Sequence, residues 1–343
     1  MNEILNFISE SKRILNLNES ISLLVNEGHV IKKYGKKYPD KIFYKINRND
    51  KDAGLFSYYF TTLSHIIYAE LKDWIPVIDM RNGYYYLLHE DQKSVGLTNV
   101  WDSYFTQPGG YELNNISKAA NVITTTMPWA FGRELDFAAV TGKDFFFEIL
   151  KETAKCIALN EEMTEYCKRV SSKLISNYEN TLGLSYRLTY DVVKPKNHFV
   201  QPSLDEMCQI AEKLLNDKVF TNIFVATDDA ESLEKIKKHF GVERVFHTER
   251  PRVGNKSIHR TNSQIDQATF ETVVSKNKIT LIENTDFGRN EEKFNRNRDY
   301  ISEMETLAIC GGLIGARTNG VMYALMRNAG RYRYVHMPTE RYQ

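Results

Sequence analysis

LGLSYRLTYDVVKPKNHFVQPS, residues 182 to 203, is the stretch on which the reading of this chain turns. Leu182, Leu184 and Tyr186 alternate with small residues, the pattern of a buried first strand of a parallel sheet. Arg187 falls where that strand ends. In open α/β sheets the carboxyl ends of the strands face the ligand crevice, so an arginine there is placed to meet an anion. A basic loop with Lys194, Pro195 and Lys196 comes next, then His198 and Gln201-Pro202-Ser203. Ser203 with Glu206 three residues on forms a capping box that marks the start of a helix over LDEMCQIAEKLL. The stretch reads as a hinge between two domains, residues 1–180 and 181–343.

Downstream the pattern alternates. A helix from Leu204 leads to strand FTNIFVAT at 220–227, a helix at 231–240, Gly241 as a C-cap signal and a strand at 242–248. That order predicts a parallel sheet with helices on both faces. Asp228 and Asp229 open the second helix, where one acid suffices as a cap and the other is left facing the crevice. Paired carboxylates are also the chemistry of a divalent-ion site on a sugar diphosphate. Residues 249–260 (ERPRVGNKSIHR) read as a flexible, solvated loop, 279–283 as a strand, and 284–298 as a polar stretch outside the core. The last unit is a helix at 300–310, strand LIGAR at 313–317, the turn Thr318-Asn319-Gly320 and a helix at 321–329. A strand, a short turn and a helix make an anion site, because the first-turn amides and the positive end of the dipole point at the ligand.

Upstream the signals are weaker. Helical spacing near 4–15 and 21–30 carries no chemical motif. A strand at 41–47, Gly54, a helix and a strand at 76–80 make one βαβ unit. Trp101 and Tyr104 stand three apart, on one face of a helix, as a sugar platform or as core packing. A strand at 121–125 and two helical patterns over 143–180 complete this half, with Asn180 and Gly183 as turn signals.

Composition sets the outer bounds. Of 343 residues, 45 are Lys or Arg and 44 Asp or Glu, so no global field points to nucleic acid or an anionic membrane. The 20 tyrosines and 18 phenylalanines suit sugar handling, since ring faces pack on apolar sugar faces, and equally suit a merely tyrosine-rich chain. The four cysteines, Cys156, Cys167, Cys208 and Cys310, show neither CxxC nor zinc spacing, which fits a reducing compartment. The first residues read as neither signal peptide nor anchor, and no window has membrane-spanning character, so a soluble, cytoplasmic protein is expected.

Four of these segments carry a resemblance. Arg187, Thr189, Asp191 and His198, followed by QPS and a helix, resemble the HxRxTD…HP region of the GDP-sugar-dependent fucosyltransferases of the GT-B superfamily. That family includes nodulation-factor, core α1,6 and bacterial capsule or lipopolysaccharide enzymes. NVWDSYFTQP at 99–108 is similar to the family's NAWEYYFEQP, VATDD at 225–229 to its ATDD, and LIGARTNG at 313–320 to its LIGSRSSG. This chain departs in RLTYD, where the acid stands one place later than in R-x-T-D.

The resemblance implies an α/β, GT-B fold: two facing Rossmann-like domains with a cleft between them, acceptor on the first and donor on the second. It implies transfer of fucose from GDP-fucose, with inversion, to a hydroxyl of a bacterial surface glycan such as capsule, lipopolysaccharide or O-antigen. No metal and no other cofactor is expected, arginine replacing the cation. Arg187 would be catalytic, with Asp191 and His198 as candidate bases. Donor contacts would come from Arg187, Asp228, Asp229, Arg317, Thr318, Asn319 and Gly320. An acid on the preceding helix, Glu303 or Glu305, would read guanine, accepting from N1 and N2 in a fork. Phe56, Ser57, Tyr58 and His65, with Trp101, would line the acceptor side, although His65 by itself reads first as a partly buried helix histidine hydrogen-bonded to backbone. The partners would be a GDP-sugar and a glycan, not nucleic acid, with the inner membrane visited only through a lipid-linked acceptor. Two alternatives stand: another donor such as GDP-heptose or GDP-mannose, or a non-catalytic nucleotide- or glycan-binding relative, which the displaced acid of RLTYD supports.

Overall fold

The computed structural model describes residues 31–47, 54–81, 99–126, 152, 154–188, 194, 198–252, 257–258, 280–281 and 292–342. The helices expected near 4–15 and 21–30, and the segment 143–151, lie outside these residues. The chain divides into two compact units, residues 1–164 and 165–343.

Unit one carries β1 (Ile31–Lys32), β2 (Phe43–Ile46), α1 (Leu55–Leu71), β3 (Ile75–Ile78), the short α2 (Leu113–Ile116) and β4 (Val122–Thr125). Its sheet runs β1-β4-β2-β3, with β2 parallel to both β3 and β4 and β1 antiparallel at the edge. The expected βαβ unit is therefore present, Phe43 pairing with Ile75. Phe43, Val77, Ile116, Ala119 and Val122 form one core cluster. Capping residue Gly54 has φ −73°, a conformation open to any residue, so its presence reflects no backbone demand. The segment after β3 returns to its end: Asn99 accepts from Met80 N–H at 2.8 Å, and the amide of Gln107 bonds Ile78 through both N–H and C=O, at 2.9 and 3.0 Å.

The unit boundary falls within α3 (Glu161–Leu174). Unit two continues with β5 (Thr181–Tyr186), α4 (Leu204–Asn216), β6 (Asn222–Thr227), α5 (Ala230–Phe240), β7 (Val245–Phe246), β8 (Ser257–Ile258), β9 (Thr280–Leu281), α6 (Glu292–Ile309), β10 (Gly312–Gly315), α7 (Asn319–Asn328) and β11 (Tyr334–His336). Its main sheet is parallel throughout, in the order β11-β10-β5-β6-β7, while β8 and β9 pair by themselves. All six residues of β5 are buried, as a parallel strand covered on both faces requires. Ser203 caps α4, its side chain accepting from Glu206 N–H at 3.2 Å.

From β5 the chain steps to β6 and β7 on one side, then crosses to β10 and β11 on the other. The strand order thus reverses between β5 and β10, and outside the carboxyl ends at such a switch point open α/β sheets bind their ligands.

Three expectations need correcting. Gly183 is no turn residue but sits inside β5, where a Cβ would lie 2.4 Å from Leu307 Cδ1, so glycine is there for close packing. The polar stretch 284–298 does not stay outside the core from 292 on, because α6 begins at Glu292. Its first turns are buried through Asn297 and Asp299 rather than apolar residues, which left no hydrophobic period to read. The start of the supposed solvated loop is packed too: the side chains of Arg250 and Arg252 are only 8% and 6% exposed.

Candidate functional site

The register of β5 and β10 sets two arginines side by side. Ser185 pairs with Gly315, so Arg187 and Arg317 both stand two residues beyond that pair, at adjacent strand ends. The side chain of Arg187 is 25% exposed, with NH2 3.9 Å from Asp228 Oδ2. Its guanidinium lies 5.6 Å from the centre of the Tyr300 ring, a cation–π distance.

Tyr300 links this arginine to the start of α7. A Cβ on Gly320 would lie 2.1 Å from the Tyr300 hydroxyl oxygen, so the ring fits against the first turn only because residue 320 lacks a side chain. Thr318 caps that turn, accepting from Val321 N–H at 3.3 Å. The amides of Asn319 and Gly320 come before the first residue an intrahelical bond can satisfy, at the positive end of a ten-residue helix. Arg187, Tyr300 and the turn 318–320 therefore belong to one locality at the switch point.

Beneath it lies a buried charge network. Glu303, on α6, is 1% exposed and accepts from Thr248 Oγ1 at 2.7 Å, Arg250 NH2 at 2.8 Å and Arg252 NH2 at 3.1 Å. The same Arg250 nitrogen donates to Asp228 Oδ1 at 2.6 Å and to the Thr227 carbonyl at 3.1 Å. Burial disfavours the charged Arg250, but Glu303 and Asp228 more than offset it and hold the guanidinium protonated. Arg252, by contrast, is shifted down, chiefly by burial. Ser185, Tyr186, Arg187, Thr227, Asp228, Arg250, Tyr300 and Glu303 surround a small pocket at these strand ends.

A third cation approaches from the last described segment. Phe199 lies 5.1 Å below the Arg317 guanidinium and 4.3 Å from that of Arg341, and it bridges to Arg341 along the backbone. Next to it His198 has its pKa lowered, by burial first and then by Arg341, so its imidazole is neutral near pH 7. Arg187, Arg250, Arg252, Arg317 and Arg341 thus lie at or near these strand ends together with the carboxylates Asp228 and Glu303.

The expected site residues divide. Arg187, Asp228, Glu303, Arg317, Thr318, Asn319 and Gly320 all lie at or next to the strand ends described. Asp229 instead caps α5, accepting from Ser232 N–H at 2.7 Å and Ser232 Oγ at 2.6 Å. Glu305 braces α7, accepting from the Tyr323 hydroxyl and from Arg327 Nε at 2.8 Å. Asp191 lies outside the described residues. Phe56, Tyr58, His65 and Trp101 are inside the core of unit one, each at most 2% exposed. His65 Nδ1 shares a 3.1 Å hydrogen bond with the Tyr44 hydroxyl, and Trp101 stacks on Tyr59. Trp101 stands on a short 3-10 helix, Val100–Ser103, with Tyr104 as its C-cap, rather than on an α-helix.

Sequence reasoning missed Arg250, Arg252, Tyr300 and Gln201. Gln201 had a visible place beside Pro202 and the helix cap, but nothing local shows that its amide reaches Arg187. Arg250 and Arg252 were in view as basic residues, and only their distant acidic partners distinguish them from loop charges.

Among the described residues no group of three or more His, Cys, Asp or Glu could hold a metal ion, and no helix is long and apolar enough to cross a membrane. All four cysteines are free thiols.

No family model matches the chain, and no curated protein sequence matches it. Solved structures do. Fucosyltransferase NodZ from Bradyrhizobium superposes with a TM-score of 0.50 over 83% of this chain and 93% of its own, at 15% identity. A structure of NodZ alpha-1,6-fucosyltransferase soaked with GDP-fucose gives 0.50, 83%, 92% and 14%. At that identity the likeness establishes a shared α/β fold.

Proposed function

We propose that this protein is an inverting GT-B glycosyltransferase that moves fucose from GDP-fucose to a hydroxyl of a bacterial surface glycan. One observation carries the reading: at the switch point between β5 and β10, Arg187 and Arg317 follow adjacent strand ends, and Tyr300 links Arg187 to the start of α7. That set of groups suits a nucleoside diphosphate, and the shared fold is that of fucosyltransferases, one of them soaked with GDP-fucose.

In the reaction the acceptor oxygen attacks the anomeric carbon as the bond from that carbon to the β-phosphate oxygen breaks. Negative charge grows on the leaving diphosphate. Arg187, Arg317 and the amides of Asn319 and Gly320 stabilise that charge in place of a metal ion. Glu303, with both carboxylate oxygens engaged by Thr248, Arg250 and Arg252, positions those arginines rather than reading the base edge, and Glu305 and Asp229 likewise serve the scaffold. Neutral His198 is a base candidate for the acceptor proton, with Asp191 the other. The donor belongs to residues 181–343 and the acceptor to residues 1–180, where Phe56, Tyr58, His65 and Trp101 act as packed frame rather than as sugar contacts.

The test is a panel of sugar nucleotides. GDP-fucose and GDP should raise the melting temperature by mass action, and transfer or slow hydrolysis should release GDP from GDP-fucose. Stabilisation by GDP with turnover of a different GDP-sugar would change the donor. GDP binding without turnover of any sugar nucleotide would reduce the protein to a binding relative, and absence of GDP binding would end the reading.

A further inference from the structure

Gln201 does for Arg187 what a neighbouring strand would do. β5 ends at Tyr186, yet the next residue is held by both of its backbone polar groups. Arg187 N–H donates to Gln201 Oε1 at 2.8 Å, and Gln201 Nε2 donates to the Arg187 carbonyl at 2.9 Å. A side-chain amide offers an acceptor and a donor side by side, which this pairing needs. Gln201 is 5% exposed, so water is poorly placed to replace either bond.

Gln201 is itself held from far along the chain. Its backbone N–H donates to the Tyr342 hydroxyl at 3.1 Å. On either side, Val200 N–H donates to the Glu340 carbonyl and Tyr342 N–H to the His198 carbonyl, both at 2.9 Å. Segment 340–342 thus lies antiparallel to 198–200 and fixes the residue that fixes Arg187.

We propose that Gln201 and Tyr342 are positioning residues for the transfer reaction, Gln201 setting the backbone from which the Arg187 guanidinium reaches the diphosphate and Tyr342 setting Gln201. The inference rests on the proposed role of Arg187 and extends it. A group that stabilises charge in the transition state loses most of its effect when displaced by about 1 Å. Gln201 therefore matters more to kcat than to donor KM.

The experiment uses the full chain with GDP-fucose as donor and release of GDP as readout, for Q201A, Q201E, Y342F, R187A and the double variant R187A/Q201A. Q201A should lower kcat about tenfold to a hundredfold, with a smaller rise in donor KM. Y342F, which removes the hydrogen bond to the Gln201 backbone, should lower it by about tenfold or less. Q201E keeps the acceptor but, when ionised, presents a second acceptor to the Arg187 carbonyl. Its activity relative to the unaltered protein should climb as pH falls, because the protonated carboxyl regains a donor. The double variant should be no slower than R187A alone, since Gln201 acts only through that side chain.

A Q201A enzyme with unchanged kcat, a Q201E ratio flat with pH, or additive losses in the double variant would each overturn the inference. Should Q201A fail to fold by circular dichroism, the Q201E ratio and Y342F decide it. R187A separates the two levels of the argument. If R187A turns over normally, the diphosphate reading falls and this inference with it. If R187A is inactive while Q201A and Y342F are fully active, only the positioning roles are lost.

Discussion

At the end of β3 the amide of Gln107 holds Ile78 by its backbone N–H and C=O; at the end of β5 the amide of Gln201 holds Arg187 in the same two-bond manner. The charges beyond the two strands differ. After Ile78 comes Asp79, which accepts from Arg81 Nε and NH2 at 2.8 and 2.7 Å and lies 3.4 Å from Lys45. After Tyr186 comes Arg187, whose NH2 lies 3.9 Å from Asp228 Oδ2 and whose side chain is 25% exposed. The same backbone device thus presents a buried carboxylate, held by two cations, in one unit and a guanidinium in the other. The device belongs to the fold, and the chemistry to the residue it holds.

The largest contrast should appear when the acid is neutralised at each end. Glu303→Gln leaves Arg250 and Arg252 buried with one carboxylate fewer, and unfolding in urea should show a loss of about 3–5 kcal/mol. Asp79→Asn should cost less, about 1–3 kcal/mol, because the Arg81 side chain is 39% exposed and can turn to water. Equal losses would mean that the two strand ends are not different in kind. Wild-type GDP affinity in folded Glu303→Gln would remove that acid from the donor site.

The second contrast concerns two glycines at helix starts. Gly320→Ala drives a methyl into the Tyr300 hydroxyl and toward Met304 Sδ, so it should cost about 1–3 kcal/mol and weaken GDP binding. Gly54→Ala, where nothing lies within 4 Å of the added carbon, should stay within about 0.5 kcal/mol. Calorimetric melts and GDP titrations on both variants check this.

Much of the fold and part of the site are legible in the sequence because their causes are local. Ser203 caps α4 and Thr318 caps α7 through a bond to a residue three further on, and a sequence shows such spacings directly. The buried run of β5 and the turn 318–320 are readable for the same reason. Gly183 misleads because glycine marks a turn and a close approach with the same letter. Arg250 misleads because burial of a charge is decided by its partners, and Glu303 lies beyond a long intervening segment. Gln201 reaches Tyr342 across an even longer separation, which no periodicity encodes. The aromatic residues of α1 and Trp101 show a third limit: an aromatic cluster suits a sugar face and a core equally, and only burial distinguishes them.

The smallest expected effect is a pH dependence from His198. Its folded pKa lies below the unfolded value, through burial and then Arg341, so the folded state resists its protonation. Its contribution is present above about pH 6.5 and is lost as pH falls through that value toward the lowered one. A urea midpoint measured from pH 8 to 5 should fall less steeply for His198→Asn. The same series run on turnover would lose its basic-form requirement if His198 is the base, and keep it if Asp191 is.

The central claim is that the guanidinium after β5 meets the diphosphate of the donor. Steady-state release of GDP from GDP-fucose by Arg187→Ala, set beside its circular dichroism spectrum and melting curve, tests this most directly. The account predicts a native spectrum with turnover lower by about a thousandfold, as removal of a main charge-stabilising donor implies. A folded variant with undiminished turnover would contradict it.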